Sequence, residues 1–425
     1  MKVNIEQLRR QLETVLAAGA VAEAESGLES AHSIDGRRPI LVCRPESAEQ
    51  IAAALRLCNE VEATVTPWGG GTAMAIGNLP RHTDVIVETR KLNRMIEHDH
   101  ANLTATVQSG ITLSDLQASL APQKQFVPIE ASFPDRATVG GAIASNLNGP
   151  RRSYYGSVRD LVIGMRVVLA SGEQIKAGGK VVKNVAGYDM CKLLVGSLGT
   201  LGIITEVTLR TAPVAETAAT VIASGTLAQA ERLSEELSRS ALLPAGVFLS
   251  NDGAEGQWQL AIWCEGFEET VARHLRDLDD IAARIGMNTT ILRAKSHDQF
   301  WGKLRDFPLQ PDCLVYRVTL PRAKIFDFTQ LVQKWAGVKL ISNIAAGTVW
   351  LALSAHRSGV EKFVELIEVA HRQHGHAVVF AAPAELKQGV EVWGPSPTTI
   401  SLQREIKRQF DPKGLLNPGR FWSGL

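Results

Sequence analysis

The sequence predicts an α+β protein with two domains and a C-terminal segment. Strands alternate with helices and glycine-rich loops up to about residue 213, glycine signals then thin out, and the last forty residues differ again in pattern. A chain of 425 residues also exceeds what one ordinary core organises. We therefore predict a first domain over residues 1–215, a second over 216–385 and a closing segment over 386–425.

Composition excludes several classes of protein. The 45 basic and 44 acidic residues give a formal charge of +1, which does not favour a nucleic-acid surface. Five cysteines without CxxC spacing indicate buried thiols rather than disulfides, an iron–sulfur cluster or structural zinc. No apolar run predicts a transmembrane segment. The charged N-terminus predicts an amphipathic helix rather than a signal peptide. We expect a cytoplasmic protein, and any association with a membrane is expected to arise through partners, with a contribution of the N-terminal helix as the less favoured alternative.

Periodicity and capping signals predict the elements of the first domain. Strands are predicted at residues 39–43, 63–67, 84–89, 103–108, 161–170, 173–177 and 203–209. Helices are predicted at the N-terminus, after Ser47, over residues 112–120 and over residues 189–195. Thr112 and Asp115 have capping-box spacing, and Ser171-Gly172 is typical of a hairpin turn.

The second domain alternates helices and strands with few glycines. Helices are predicted at 227–240, 268–285, 325–335 and 360–373, and strands at 258–264, 314–320 and 349–354. This alternation predicts a layer of helices on one sheet. No internal repeat is visible in the sequence.

The first candidate binding motif is the run Trp68-Gly69-Gly70-Gly71-Thr72, which follows a predicted strand. Without Cβ atoms, a backbone can turn its N–H groups toward one point and be approached closely by a pyrophosphate. The run matches neither GxxxxGK[ST] nor GxGxxG. A plain tight turn is the alternative interpretation.

Further runs of small residues follow it. They are ATVGGAIASN at 137–146, YGSVRD at 155–160, KNVAGYD at 183–189 and GSLGTLGIITE at 196–206. Gly140, Gly141 and Ser145 predict a smooth trough, with a close helix–strand contact as the alternative. Closely spaced glycines are costly unless the backbone must meet a ligand or another backbone.

In this order the motifs resemble the FAD-binding domain of the vanillyl-alcohol oxidase and p-cresol methylhydroxylase (PCMH) superfamily. FDPKGLLNPG, at 410–419, looks like its C-terminal signature. Within the superfamily, GPRRSYYGSVRDLVIG and KVVKNVAGYDMCKLLVGSLGTLGI are most similar to the accessory, E-type FAD-binding subunits of bacterial glycolate oxidases. The resemblance implies a PCMH-type two-lobed FAD-binding domain followed by an α+β, ferredoxin-like cap.

The resemblance also implies a role in FAD binding for twelve residues, which are, in chain order, Trp68, Gly69, Gly70, Gly71, Thr72, Thr138, Gly140, Gly141, Ser145, Gly202, Ile204 and Asn417. Residues 68–72 would cradle the pyrophosphate. Thr138, Gly140, Gly141 and Ser145 would line the flavin and phosphate trough. Gly202 and Ile204 would flank the adenine by main-chain contacts, and Asn417 would lie near the isoalloxazine ring. Many superfamily members attach FAD through a histidine beside the first glycine loop. Residues 68–74 contain no histidine or cysteine, so we predict non-covalent FAD.

The function implied by the resemblance is that of an FAD subunit in a glycolate oxidase complex. Hydride would pass from glycolate to the flavin, giving glyoxylate, together with a larger flavoprotein subunit and an iron–sulfur subunit. Two alternatives remain. One is a stand-alone FAD-dependent oxidoreductase for another small hydroxy acid such as lactate, and the other is a structural subunit that holds FAD without turnover. The HxGDGNxH-like metal motif of the related dehydrogenase subunits is absent, which favours the first and last readings.

No catalytic base or metal site is assigned from the sequence. The histidine cluster at residues 371–376 is interpreted as the basic end of a helix. Lys183 and Tyr188 lie in a motif expected to face the flavin. A hydroxy-acid substrate calls for an arginine to pair with its carboxylate. The undecided candidates are Arg151, Arg152, Arg317 and Arg322.

Overall fold

The computed structural model describes residues 4–23, 32–179, 189–251, 256–309 and 313–425. The chain forms two compact units. The first comprises Met1–Leu147, Val158–Pro213 and Lys387–Leu425, and the second comprises Asn148–Ser157 and Val214–Leu386. Residues 148–157, which the sequence placed in the first domain, thus group with the second unit. The predicted α+β class is confirmed.

Helices and strands within the described residues follow the predicted alternation. The helices are α1 Ile5–Val15, α2 Ala48–Val61, α3 Leu113–Leu120, α4 Val139–Ala144, α5 Arg152–Tyr155, α6 Val158–Leu161, α7 Met190–Leu194, α8 Leu227–Arg239, α9 Glu268–Ile285, α10 Ala294–Asp306, α11 Ile325–Val332, α12 Arg357–Arg372, α13 Ala384–Lys387 and α14 Ile400–Phe410. Short 3-10 turns are Ala121–Gln123, Phe307–Leu309, Arg322–Lys324 and Trp422–Gly424.

The strands are β1 Val21–Glu23, β2 Leu41–Cys43, β3 Val65–Trp68, β4 Val85–Glu88, β5 Met95–Asp99, β6 Thr104–Gln108, β7 Gln125–Phe126, β8 Val162–Val168, β9 Gln174–Gly178, β10 Ile203–Arg210, β11 Ala212–Pro213, β12 Thr217–Gly225, β13 Gly246–Asn251, β14 Trp258–Gly266, β15 Asn288–Arg293, β16 Cys313–Thr319, β17 Lys339–Asn343, β18 Thr348–Ser354 and β19 His376–Ala381.

Two larger sheets and a two-stranded one, β11-β7, build the first unit. One has the order β1-β2-β4-β3, with β2, β4 and β3 parallel. The other is antiparallel, with the order β5-β6-β10-β8-β9. Buried apolar residues of α1 and α2, such as Leu8 and Leu55, pack in one core with β2 and β4. The predicted caps are confirmed, since Ser47 Oγ accepts from Gln50 N and Thr112 Oγ1 from Asp115 N, at 3.2 and 3.1 Å.

One antiparallel eight-stranded sheet organises the second unit, with the order β15-β12-β14-β13-β17-β18-β16-β19. One sheet was predicted, but only three of its strands, β14, β16 and β18, were. The pattern β-α-β-β-α-β occurs twice along it. The first half is β12-α8-β13-β14-α9-β15, the second is β16-α11-β17-β18-α12-β19, and β13 pairs with β17 where they meet. The sequence shows no repeat because a packed core accepts many combinations of apolar residues, so topology can repeat without residue identity.

A buried ion pair fixes the C-terminal segment to the first unit. Lys407 Nζ donates to Asp411 Oδ2 at 2.7 Å and to the carbonyls of Thr200 and Leu416 at 2.7 and 2.9 Å. The Asp411 carboxylate accepts from the backbone of Leu415 and Leu416. The segment then runs beside β3, bonding through Leu415 O and Asn417 N to Val65. Asn417 therefore lies beside β3, the strand that precedes the first glycine loop.

We predict that Asp411→Asn lowers the free energy of unfolding by about 3 kcal/mol, because it leaves the Lys407 ammonium buried without its counter-charge. Denaturant unfolding of the purified protein measures this. The matched control is Glu405→Gln, which breaks the exposed Arg408–Glu405 pair on the same helix and is expected to change stability little. Equal effects of the two substitutions would contradict the prediction.

Candidate cofactor site

A trough in the first unit brings together residues of three glycine-rich motifs, at 68–72, 137–146 and 196–206, but none of YGSVRD at 155–160. The empty space within it, part of which is open to solvent, amounts to ≈ 760 Å³. The loop after β3, the N-terminal part of α4 with its cap, the start of β10 and the C-terminal segment all contribute to its wall. All twelve residues implied by the resemblance line it, namely Trp68, Gly69, Gly70, Gly71, Thr72, Thr138, Gly140, Gly141, Ser145, Gly202, Ile204 and Asn417.

Several of these glycines also serve close packing. A Cβ on Gly70 would lie 1.7 Å from the carbonyl oxygen of Arg136, and one on Gly69 would lie 2.2 Å from Thr138 Oγ1. The two glycine motifs therefore touch each other directly, so the packing interpretation holds alongside the binding one. Gly141 differs, because among the described residues a Cβ there would meet only Thr138 Oγ1, at 3.1 Å. Its remaining surroundings are the open trough.

Two buried polar atoms of the trough have no partner among the described residues. These are the hydroxyl of Ser109, a residue 1% exposed, and Oδ1 of Asn417, a residue 4% exposed. The Asn417 amide nitrogen is used, since it donates to Leu198 O at 2.7 Å. Buried polar atoms are almost always hydrogen-bonded in native proteins. The pair therefore fits a polar ligand that supplies the missing partners.

A buried charge cluster holds the next loop, residues 74–78, against the trough. Arg420 Nη1 donates to Asp35 at 2.8 Å and to Asn78 O at 2.6 Å, and Nη2 donates to the carbonyls of Met74 and Ile76. Lys387 Nζ lies 3.0 Å from Asp35 and donates to the two intervening carbonyls, at 75 and 77. Two cations thus bind five consecutive carbonyls of the loop.

The cluster carries two positive charges against one negative charge. Burial lowers the pKa of Lys387 to about 8, and Arg420 adds to this effect while Asp35 opposes it. The Lys387 ammonium is therefore the group of the cluster that loses its proton most easily as the pH rises.

Sequence reasoning missed several residues of the trough. They include Met74, Ile76, Thr89, Ser109, Leu198, Gly199 and Arg420. Ser109 carries no motif, and its role becomes visible only because β6 ends beside α4, where Gly140 N donates to Ser109 O at 2.7 Å. Arg420 follows the NPG of the C-terminal signature, which was the one available signal. Lys183 and Tyr188 lie outside the described residues.

Comparison with known proteins identifies the family. The FAD binding domain family matches residues 39–178, and the C-terminal domain of FAD linked oxidases matches residues 394–421. Glycolate oxidase subunit GlcE of Escherichia coli is 31% identical, over 81% of this chain and 89% of that protein. This chain belongs to the FAD-linked oxidases. The cofactor of this FAD-linked oxidase is FAD.

Other relatives of this FAD-linked oxidase carry different names. Glycolate oxidase subunit GlcD of Bacillus subtilis is 29% identical over 91% of this chain and 89% of its own. A D-lactate dehydrogenase of Archaeoglobus fulgidus is 29% identical over 89% of this chain and 90% of that protein. Among solved structures, p-cresol methylhydroxylase with bound substrate superimposes with a TM-score of 0.76 at 16% identity, covering 99% of this chain and 97% of that one. The PCMH-type fold predicted from the sequence is confirmed.

The described part of this FAD-linked oxidase contains no group of three histidine, cysteine or acidic side chains arranged to hold a metal. In the same residues, every helix is too short or too polar to span a bilayer. The part of FAD that each trough residue contacts stays a prediction.

We predict that Ser109→Ala weakens FAD binding by about tenfold while the apoprotein keeps its stability, because the lost hydroxyl makes no bond within the described residues. Fluorescence titration of the apoprotein with FAD measures the affinity, and thermal unfolding measures stability. Thr83→Val is the control. Thr83 Oγ1 is likewise buried and unpartnered but lies outside the trough, so FAD affinity should not change. Unchanged FAD affinity in Ser109→Ala would refute the assignment.

Lys387 predicts a pH dependence of stability. Its pKa is lower in the folded protein than in the unfolded chain, so the unfolded chain binds more protons between about pH 8 and pH 10.5. Stability from this group therefore rises with pH across that window, by at most about 1.4 kcal/mol per pH unit. Urea unfolding across the window should show the rise in the wild type and a flatter profile in Lys387→Met. Parallel profiles would show that Lys387 does not titrate there.

Proposed function

We propose that this chain is the FAD-binding subunit of a complex that oxidises glycolate to glyoxylate. The observation that carries the proposal is the trough, whose wall contains every residue implied for FAD and two unpartnered polar atoms. The similarity to GlcE and GlcD, over most of each chain, supports the substrate and the membership of a complex.

Each group of trough residues would bind and orient a different part of FAD. Residues 68–72 would hold the pyrophosphate through backbone N–H groups and the Thr72 hydroxyl. Thr138, Gly140, Gly141 and Ser145 would bound the flavin and phosphate trough, with Gly202 and Ile204 at the adenine. Asn417 would offer Oδ1 near the isoalloxazine. No histidine or cysteine lies in residues 68–74, which supports non-covalent attachment.

Bound FAD supplies the two-electron acceptor of the reaction. In the oxidation of glycolate, the carbon that carries the hydroxyl loses a hydride as its bond to oxygen becomes a carbonyl, and the hydroxyl proton passes to a base. The chain contributes the binding and orientation of the acceptor. Its sequence has no cysteine pattern for a cluster or a haem, so the electrons would leave through an iron–sulfur partner subunit.

A second candidate function has a specific observation in its favour. The D-lactate dehydrogenase of Archaeoglobus fulgidus matches 89% of this chain, compared with 91% for GlcD and 81% for GlcE. That similarity supports a stand-alone FAD-dependent oxidoreductase for lactate or another small hydroxy acid. A subunit that holds FAD without turnover is the third possibility and becomes an outcome of the test.

The purified chain, alone and with co-purified partner subunits, is expected to reduce an artificial dye with glycolate only when the partners are present. Acid precipitation should first release the flavin absorbance into the supernatant. Turnover of lactate by the chain alone would favour the second function. Flavin that neither substrate reduces, with or without partners, would leave the structural role. Flavin retained in the acid pellet would contradict non-covalent binding.

A further inference from the structure

Arg317 lies on the face of the eight-stranded sheet that points away from helix α12. Side chains alternate along a strand, and its neighbour Tyr316 is on the opposite face, stacked on Phe363 of α12 with its hydroxyl donating to Gly359 O. Arg317 is paired across β16 with Trp350 of β18 and Val378 of β19. A charged side chain therefore sits on the central strand of three, two residues before the end of β16.

Two aromatic rings hold the Arg317 guanidinium. Its Cζ lies 5.2 Å from the centre of the Phe380 ring and 5.9 Å from that of Trp350, and the two rings meet edge to face at 4.6 Å. The β16–β19 register shifts between Val315 and Tyr316, which leaves Phe380 as an extra residue of β19. Such bulges re-aim a side chain. Here the bulge adds the second wall beside Arg317.

Within the described part of the chain, no carboxylate accompanies this guanidinium. Among the described residues, Arg317 forms neither an ion pair nor a hydrogen bond, although it is half-buried. Burial and, to a lesser extent, the positive charge of Arg152 together lower its pKa to about 10. A half-buried charge without a partner is costly unless something else compensates it.

In the other half of the sheet, an arginine that lies over the corresponding tryptophan has a carboxylate partner. Arg151 lies over the ring of Trp263, on β14, at 4.5 Å, and its Nη1 donates to Glu265 Oε2 at 2.9 Å. Trp263 and Trp350 each stand on the third strand of their half. Glu265 follows Trp263 by two residues, whereas the residue at the same distance after Trp350 is Ala352. One arginine is thus neutralised internally, and the other is left for an external anion.

We propose that Arg317 binds the carboxylate of the substrate, a small 2-hydroxy acid, with Arg152 as the second positive charge of the site. The assignment of the anion as substrate rests on the proposed function. A guanidinium fixed between aromatic rings presents paired N–H donors to the two oxygens of a carboxylate. The rings exclude water from one side, which strengthens the contact. The other arginine candidates are less suited, since Arg151 has Glu265 and Arg322 is exposed on a 3-10 turn.

Oxalate, a small dicarboxylate that needs no turnover, probes the site in the FAD-loaded full-length protein. By isothermal titration calorimetry, Arg317→Met is expected to weaken oxalate binding on the order of 10- to 100-fold, the loss of a charge-assisted bidentate contact. Arg317→Lys should give an intermediate loss, because the charge remains without the fork geometry. Arg322→Met is the matched control and should bind as the wild type does. Neutral glycolamide should bind wild type and Arg317→Met alike.

Equal oxalate affinity in Arg317→Met and wild type would overturn the proposal, and so would a wild type that binds neither oxalate nor glycolate. Flavin content and thermal unfolding midpoints show whether each variant is folded, and Arg317→Lys serves if Arg317→Met is not. The proposed function is tested separately, by flavin bleaching with glycolate and lactate in the protein co-purified with its partner subunits, because turnover is expected only with them. If neither bleaches the flavin while oxalate binding still depends on Arg317, the anion site stands and the proposed oxidation falls.

Discussion

The buried guanidinium of Arg420 connects the ends of the first unit. It reaches Asp35 near the N-terminal strands and the carbonyls of Met74, Ile76 and Asn78, while Lys387 takes the carbonyls between them. An irregular loop with five inward-facing carbonyls would be unstable without donors, since unmade buried hydrogen bonds are expensive. The loop continues directly from Trp68–Thr72. The wall of the trough is therefore held in place by a residue at the far end of the sequence.

Because the trough wall depends on Arg420, the C-terminal segment that carries Arg420 has to be fixed to the first unit. Lys407 and Asp411 tie α14 to the backbone around it, and the chain after Asp411 bonds to β3. Asn417 consequently adopts a left-handed conformation, with φ of +45°, which asparagine tolerates better than most residues. Its amide nitrogen is used by the protein and its oxygen is left over. The segment contributes both the support of the site and one of its free polar atoms.

The sequence was sufficient for the fold class, most strands and helices, and the glycine motifs. These depend on local periodicity, capping residues and short motifs, which a single sequence carries. The sequence could not predict features that depend on contacts between residues distant in the chain. The four candidate arginines looked alike because the feature that separates Arg151 from Arg317 is Glu265, which is 114 residues from Arg151. The repeated half of the second unit was missed for a related reason, because topology repeats there and residue identity does not.

The same physical criterion separates support from binding in both units. Where the protein needs a buried charge for its own architecture, it provides the partner, as with Lys407 and Asp411 or Arg151 and Glu265. Ser109, Asn417 and Arg317 have no such partner among the described residues; the first two line the trough, and Arg317 lies beside two aromatic rings. Since an unpartnered buried donor or charge lowers stability in the free protein, these positions are expected to gain their partners from the ligands that the two units bind.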